Sequence, residues 1–246
     1  MSSNIELKKN IKMKLKTPEF NCDGTLAPHL QKYDMLNHLN GFYFTGILGR
    51  PGSGKTSMLV SLLTGKKEHR IFRKVFDHIL LIMPPHSIAS MTKNPFKNHS
   101  KEKIYDELNL SSISDIYDKL ETSTDENETT LLIMDDVGSS LKNSDIQTIM
   151  KKIIFNRRHL KVHIIILVQS FLSLHKEIRK LFSNIIVYKP SKVEMENLMN
   201  EEFEMDKHLA LQLMNYVFIN KHDFLFLNVE SQKIYKDFDE IILHEN

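Results

Sequence analysis

Eight consecutive residues, Gly49-Arg50-Pro51-Gly52-Ser53-Gly54-Lys55-Thr56, fit the pattern G-x-x-x-x-G-K-[ST]. Glycines at this spacing let backbone N–H groups converge on phosphate oxygens, and a helix starting there adds the positive end of its dipole. Lys55 would reach the β- and γ-phosphates, and the Thr56 hydroxyl would hold Mg²⁺. The nucleotide-binding set is Gly49, Arg50, Pro51, Gly52, Ser53, Gly54, Lys55, Thr56 and Ser57. Some 80 residues on, Leu131-Leu132-Ile133-Met134-Asp135-Asp136 places two acids after four apolar residues. Asp135 would bind Mg²⁺, directly or through water, and Asp136 would orient or deprotonate the attacking water. An adjacent second acid favours hydrolysis over nucleotide switching, because it supplies a general base in cis.

Two further features fit the same chemistry. Gln169 closes an apolar run, where it could contact the γ-phosphate or the attacking water; alone, it could equally be a solvated strand end. Asn156-Arg157-Arg158-His159 holds two of the six arginines in the chain. A guanidinium can stabilise charge spreading over a transferring phosphoryl group, and in ring ATPases such a residue points into the neighbouring subunit's site. The alternative is a basic surface turn or a DNA-facing one. Arg179 is either another phosphate-side arginine or an ordinary helix-surface charge. Together these residues point to an ATPase with ATP and Mg²⁺ as cofactors.

Positioning them requires strands that end at the loop and at the acids. Phe42–Leu48 is a short apolar run directly before the glycines, and Ser57–Leu63 has helical character, stopping at Thr64-Gly65. His78–Met83, Leu131–Met134, Val162–Val168 and Asn184–Tyr188 read as four more strands, with Val162–Val168 buried on both faces. Helices are expected near 101–108, 112–120, 145–155, 174–181, 193–204 and 206–217, and a strand or hairpin at Phe224–Val229. Thr122–Thr130 reads as a surface loop. Strands alternating with helices predict an α/β fold, a mainly parallel sheet covered on both faces. Residues 1–40 form an N-terminal extension with a possible edge strand at Ile11–Lys16, residues 41–189 the ATPase core, and residues 190–246 helices and a strand packed on that core.

Composition narrows the class. The chain has 246 residues, 41% hydrophobic and 26% charged, which excludes disordered, collagen-like and disulfide-stapled proteins. One cysteine, Cys22, cannot form an internal disulfide, so a reducing compartment is expected. No apolar run approaches the ~20 residues that span a bilayer, and Met1–Lys16, with five lysines, has no signal-peptide core. The net charge of +2 hides an asymmetry: residues 1–189 carry 28 basic and 19 acidic side chains, residues 190–246 carry 5 and 12. A basic body suits a polyanion such as nucleic acid, though lysines also serve as plain solvated surface. The cysteine and histidines are read as offering no metal spacing, so no zinc is expected. No G-x-S-x-G context supports a hydrolase triad. The twelve methionines read as core filler.

The runs G-R-P-G-S-G-K-T, L-L-I-M-D-D, R-R-H-L-K-V-H-I-I-I-L-V-Q-S and E-I-R-K-L-F-S-N-I-I-V-Y resemble the genome-packaging ATPases of nucleocytoplasmic large DNA viruses and virophages, in the FtsK–HerA branch of P-loop motors. The Arg-His pair before the fourth core strand and the glutamine closing that strand are the branch-specific part. In that pattern the finger falls on Arg158 before Arg157. Val168 stands where the branch has threonine. The resemblance covers about residues 41–189 and, more loosely, Phe224–Phe238. It implies a RecA-like, three-layer (ASCE) core with strand order 5-1-4-3-2. It also implies a homo-oligomeric ring (pentamer or hexamer) that pumps double-stranded DNA into a preformed capsid, with capsid or portal proteins as partners. The expected location is the host cytoplasm, at the viral factory, and the virion. Lys93, Lys97, Lys101 and Lys103 are candidate DNA-gripping lysines. Two other classes stay open: a helicase or AAA+-type remodeller acting on single strands or protein, and a non-catalytic, nucleotide-dependent assembly module. The Asp135-Asp136 pair speaks against the second.

Overall fold

A computed structural model describes residues 26, 29, 38–66, 71–89, 91 and 94–243. The edge strand expected at Ile11–Lys16 lies outside them, as do Cys22 and Lys93. The first half of the chain runs β1 (Phe44–Leu48), α1 (Lys55–Thr64), β2 (His78–Ile82), α2 (Pro85–Ala89), β3 (Ile104–Tyr105), α3 (Leu110–Asp125), β4 (Thr130–Asp135) and α4 (Ser144–Phe155). The second runs β5 (Val162–Val168), α5 (Lys176–Arg179), β6 (Asn184–Tyr188), α6 (Lys192–Phe203), α7 (Lys207–Val217), β7 (Phe224–Asn228), β8 (Lys233–Lys236) and β9 (Asp239–Ile241).

Strand residues alternate between two apolar layers, as the period of two requires. Leu48, Leu132, Met134, Ile164 and Ile166 join α3, α4, α6 and α7 in one layer. Ile47, Leu131, Ile133, Ile165 and Leu167 join α1 in the other. Every residue of β1 and of β5 is buried, so β-branched and apolar residues occupy both faces.

Among the described residues the strands form one sheet in the order β3-β2-β4-β5-β1-β6-β7-β8-β9. This departs from the expected five-strand order. A two-residue strand extends one edge, and β7, β8 and β9 extend the other as an antiparallel meander. Between those additions the five strands read from sequence stand fifth-first-fourth-third-second, all parallel. The chain leaves β1 toward β2 and later returns to β1's other side as β6. The carboxyl end of β1 is therefore a topological switch point, where such sheets open a crevice.

Three helical expectations change. No helix forms near 101–108. Lys101–Lys103 is one 3₁₀ turn, and Ile104-Tyr105 pairs with Leu81-Ile82. Helix α3 waits for its cap, in which the Asn109 side chain accepts from the Ser112 N–H (2.9 Å) and Ser112 Oγ accepts from the Asn109 N–H (2.9 Å). It then runs through residues read as loop as far as Asp125, and ends where Asn127 turns with φ 63° and the Glu128 N–H donates to Ser123 O (2.9 Å). The helix expected at 174–181 shrinks to four residues, since Leu174 and His175 are extended (ψ 147° and 141°).

Candidate nucleotide site

The glycine loop leaves β1 at the switch point. Gly49 N–H donates to Val168 O on β5 (3.1 Å), and Ser53 N–H closes a turn on Arg50 O (3.1 Å). A Cβ on Gly49 would stand 2.6 Å from Ser53 Oγ and 2.9 Å from Tyr188 Cβ, so the loop packs too closely for any side chain there. Gly54 sits at the N-cap of α1 with φ 117°, and no side chain caps that helix end. The first turn also carries no acid. The amides of this turn are left for an anion. Ser53 Oγ is buried with no hydrogen-bond partner, a second polar atom suited to an oxygen-rich ligand.

Lys55 folds back over the loop, donating to Gly49 O (2.6 Å) and Arg50 O (3.3 Å). Burial lowers its ammonium pKa, while the Asp135 and Asp136 carboxylates raise it. Asp135 ends β4, opposite Leu167. Burial pushes its carboxyl up; the Lys55 ammonium pulls it back, Asp136 adds repulsion, and His86, in α2 beyond β2, lowers it slightly. Asp136 turns the chain with φ 57°, in the left-handed region, and its N–H donates to Leu167 O (3.2 Å). Aspartate tolerates that backbone better than most residues. Gln169 follows β5, which lies between β4 and β1, and its amide approaches Asp136 Oδ1 at 3.5 Å.

Four residues far apart in sequence, Lys55, Asp135, Asp136 and Gln169, thus meet at three adjacent strand ends, with Thr56 and Ser57 beginning α1 beside them. Amides, an ammonium, a hydroxyl and two carboxylates form a donor set that fits a nucleoside triphosphate with Mg²⁺. Thr56 and Asp135 would hold the metal.

The two arginines before β5 stand elsewhere. Arg157 and Arg158 precede β5, at the opposite end of the strand from Gln169. Seven strand residues at ~3.3 Å each separate the two ends by roughly 20 Å. The Arg157 guanidinium is tied into its own subunit: it donates to Phe42 O (2.9 Å), Ile154 O (3.1 Å), Ser183 Oγ (3.3 Å) and Glu230 Oε1 (3.2 Å). That makes it a brace across the amino ends of β1, β5 and β6 rather than a phosphate ligand. Arg158 is exposed at the same end. Arg179 is a correction. It is no surface charge: it is buried, forks onto Glu201 (3.1 and 2.8 Å) and lies 4.9 Å over the Phe171 ring, so its guanidinium is taken up by a carboxylate of its own subunit.

Sequence reasoning missed Tyr188 and His222. Tyr188 ends β6 and donates from its hydroxyl to Gly54 O (3.3 Å). Burial, and after it Asp237, pushes its phenol up to about 12. His222, between α7 and β7, meets Ser53 O through Nδ1 (3.0 Å). Tyr188 had a readable signal, a polar-tipped aromatic closing an apolar strand as Gln169 does; His222 had none.

The metal reading also needs refinement. His159 and His163 are four residues apart, a spacing that can hold a metal, but His163 is fully buried within β5 and His159 is exposed on the turn before it. Ligand atoms of His78, Glu126 and Glu128 do come within 4.8 Å of one another. Lys103 Nζ lies 2.7 Å from His78 Nδ1. An ammonium only donates, so His78 carries its proton on Nε2 and gives it to Glu128 (2.5 Å). This chain also engages Lys103, one of the candidate DNA-gripping lysines; Lys97 and Lys101 are exposed.

Residues 31–238 match the family described as Poxvirus A32 protein. The chain belongs to the Poxvirus A32 protein family. It stands among the genome-packaging ATPases that its motifs resemble, and it is a P-loop ATPase. No curated sequence matches this A32-family chain significantly. Its fold is shared by solved structures. The DNA-packaging ATPase B204 from Sulfolobus turreted icosahedral virus is 17% identical, with a TM-score of 0.60 over 82% of this chain and 98% of that one. The genome packaging NTPase B204 from Sulfolobus turreted icosahedral virus 2, in complex with ATP-γ-S, is 17% identical, with a TM-score of 0.59 over the same shares. The cytoplasmic domain of the type VII secretion ATPase EccC from Thermomonospora curvata is 13% identical, with a TM-score of 0.52 over 83% of this chain and 24% of that one.

Proposed function

We propose that this A32-family ATPase is a ring-forming motor that moves double-stranded DNA into a viral capsid, driven by Mg-ATP hydrolysis at subunit interfaces. The observation that carries the reading is the split of the constellation. Lys55, Asp135, Asp136 and Gln169 meet at one end of the sheet, while Arg158 is exposed at the other. A copy cannot bring Arg158 to its own phosphate loop, so a neighbouring copy completes the site.

The residues then divide the work. The loop amides and Lys55 bind the β- and γ-phosphates. Thr56 and Asp135 would hold Mg²⁺, which would supply positive charge to offset that of the phosphates. Asp136 orients the attacking water and accepts its proton, and Gln169 holds that water or senses the γ-phosphate. Arg158 of the next copy stabilises charge on the departing phosphoryl group. Arg157 is the weaker candidate for that role, being bound within its own subunit.

DNA contact through phosphates is sequence-independent and salt-sensitive. Lys97 and Lys101 remain candidates for it, and Lys93 lies outside the described residues. Capsid or portal proteins are the further partners, met at the viral factory in the host cytoplasm or in the virion. Residues 1–40 are an extension to a core at 41–189, and residues 190–246 are an accessory to it. Among the described residues no helix is long and apolar enough to cross a membrane.

The deciding experiment is ATP turnover with long duplex DNA, single-stranded DNA, or no nucleic acid, with Lys55→Ala as blank. Stimulation by duplex well above that by single strands supports the packaging motor. Stimulation by single strands or by a client protein supports a helicase or remodeller instead, and binding without turnover supports an assembly module.

A further inference from the structure

Two side chains from the distant C-terminal half of the chain grip the phosphate loop at consecutive carbonyls. His222 Nδ1 lies 3.0 Å from Ser53 O, and the Tyr188 hydroxyl donates to Gly54 O at 3.3 Å. A carbonyl only accepts, so His222 carries its proton on Nδ1. A peptide unit is planar and trans, so its C=O and the following N–H point in opposite directions. Holding Ser53 O outward therefore aims the Gly54 N–H inward. Gly54 O also accepts from the Met58 N–H of α1 (2.8 Å), so the Tyr188 hydroxyl is a second hold on the peptide that carries the Lys55 N–H. Those amides belong to the cradle at the start of α1.

Both anchors are themselves held. Asp223 accepts from the Ile219 and Asn220 N–H groups (3.0 and 2.7 Å), which fixes the short loop carrying His222. Tyr188 is buried, and its ring lies 6.0 Å from Phe224, which lies 5.3 Å from Phe238. The Asp237 carboxylate in turn accepts from the Phe224 N–H (3.1 Å). The antiparallel strands that widen the sheet thus form the wall behind the phosphate loop.

We propose that Tyr188 and His222 are positioning residues for nucleotide binding, which orient the Gly54 and Lys55 amides toward the phosphates. The proposal rests on the nucleotide reading above. His222→Ala removes the donor, whereas His222→Asn keeps an N–H near the place of Nδ1. Tyr188→Phe removes only the hydroxyl.

The test is ATP affinity by calorimetry and the KM–kcat split for wild type and the three variants, with amide exchange of residues 49–57 measured without nucleotide. His222→Ala and Tyr188→Phe are each expected to raise the Kd and KM for ATP roughly fivefold, the scale of one hydrogen bond, and to change kcat less. Amide exchange at Gly54 and Lys55 should quicken. His222→Asn should restore affinity to within about twofold of wild type, which a general loss of packing would not do. Equal ATP affinity in all four proteins, or His222→Asn no better than His222→Ala, overturns this proposal alone. A wild type that binds no ATP overturns the nucleotide reading and this proposal with it.

Discussion

At Asp136 backbone and chemistry are coupled, since its φ of 57° directs a carboxylate away from the line of β4. Asparagine tolerates the same backbone, so Asp136→Asn tests chemistry alone. It should bind ATP like wild type and lose about 100-fold or more in turnover. Asp136→Ala should show the same loss and an added instability of about 1 kcal/mol, because alanine lacks that tolerance. Steady-state hydrolysis and urea denaturation separate the two. Arg179 gives the opposite pattern. Arg179→Met leaves Glu201 largely buried without its partner and should cost about 3 kcal/mol of stability, with turnover per folded molecule unchanged. At this scale legibility followed locality. Lys55, Asp135, Asp136 and Gln169 each end or begin an apolar run, so the site could be read along the chain. The Arg179–Glu201 fork and the His222–Ser53 contact join residues 22 and 169 positions apart, and no local pattern marks them.

At the scale of elements, β5 and α6 carry two titrations that oppose each other. Burial holds the His163 imidazole down to about 4, with Nδ1 bonded to Gly41 O (2.8 Å) and Nε2 unpartnered. Between pH 6.5 and 4 the unfolded chain takes up a proton there and the folded chain does not, so this group alone lowers stability as pH falls, by up to about 3 kcal/mol. Glu202 acts in reverse. Burial, then Glu201, pushes its carboxyl up to about 7, so the folded chain holds a proton that the unfolded chain has released, and stability falls as pH rises from 4.5 to 7. The wild type should therefore show little net change in urea midpoint between pH 5 and 6.5. His163→Leu should become less stable toward pH 6.5, and Glu202→Gln less stable toward pH 5. A wild type that loses most of its stability at pH 5 would contradict the balance. The strands themselves were legible because β-branched runs bounded by polar ends leave few alternatives. The edges were not. Ile104-Tyr105 is a strand only because Leu81-Ile82 is there to pair with it, and α3 outran its expected end, stopping only where Asn127 adopts a left-handed backbone.

For the whole molecule, complementation is the informative experiment. Lys55→Ala and Arg158→Ala proteins should each be nearly inactive, and mixing them should restore turnover at those interfaces that pair an intact loop with an intact arginine. No recovery after mixing, with assembly of both variants shown by light scattering, would remove the trans arrangement. The basic body predicts that any stimulation by duplex DNA weakens steeply with added salt, and a titration from 50 to 200 mM checks it. The antiparallel addition, residues 224–241, was the least legible part of the fold. Phe224–Val229 reads as a strand or hairpin, but only pairing with β6 decides that it lengthens the central sheet, and β8 and β9 were not expected.

The roughly 20 Å of β5 between Arg158 and Gln169 also bears on inheritance. In the proposed ring each copy would serve two sites, giving a loop to one and an arginine to the other. A cell infected by two genotypes, one intact and one altered at Arg158, would assemble mosaic rings in which every defective copy silences its neighbour. The altered allele would then behave as dominant, reducing progeny of both genotypes, whereas a variant that cannot assemble would be recessive.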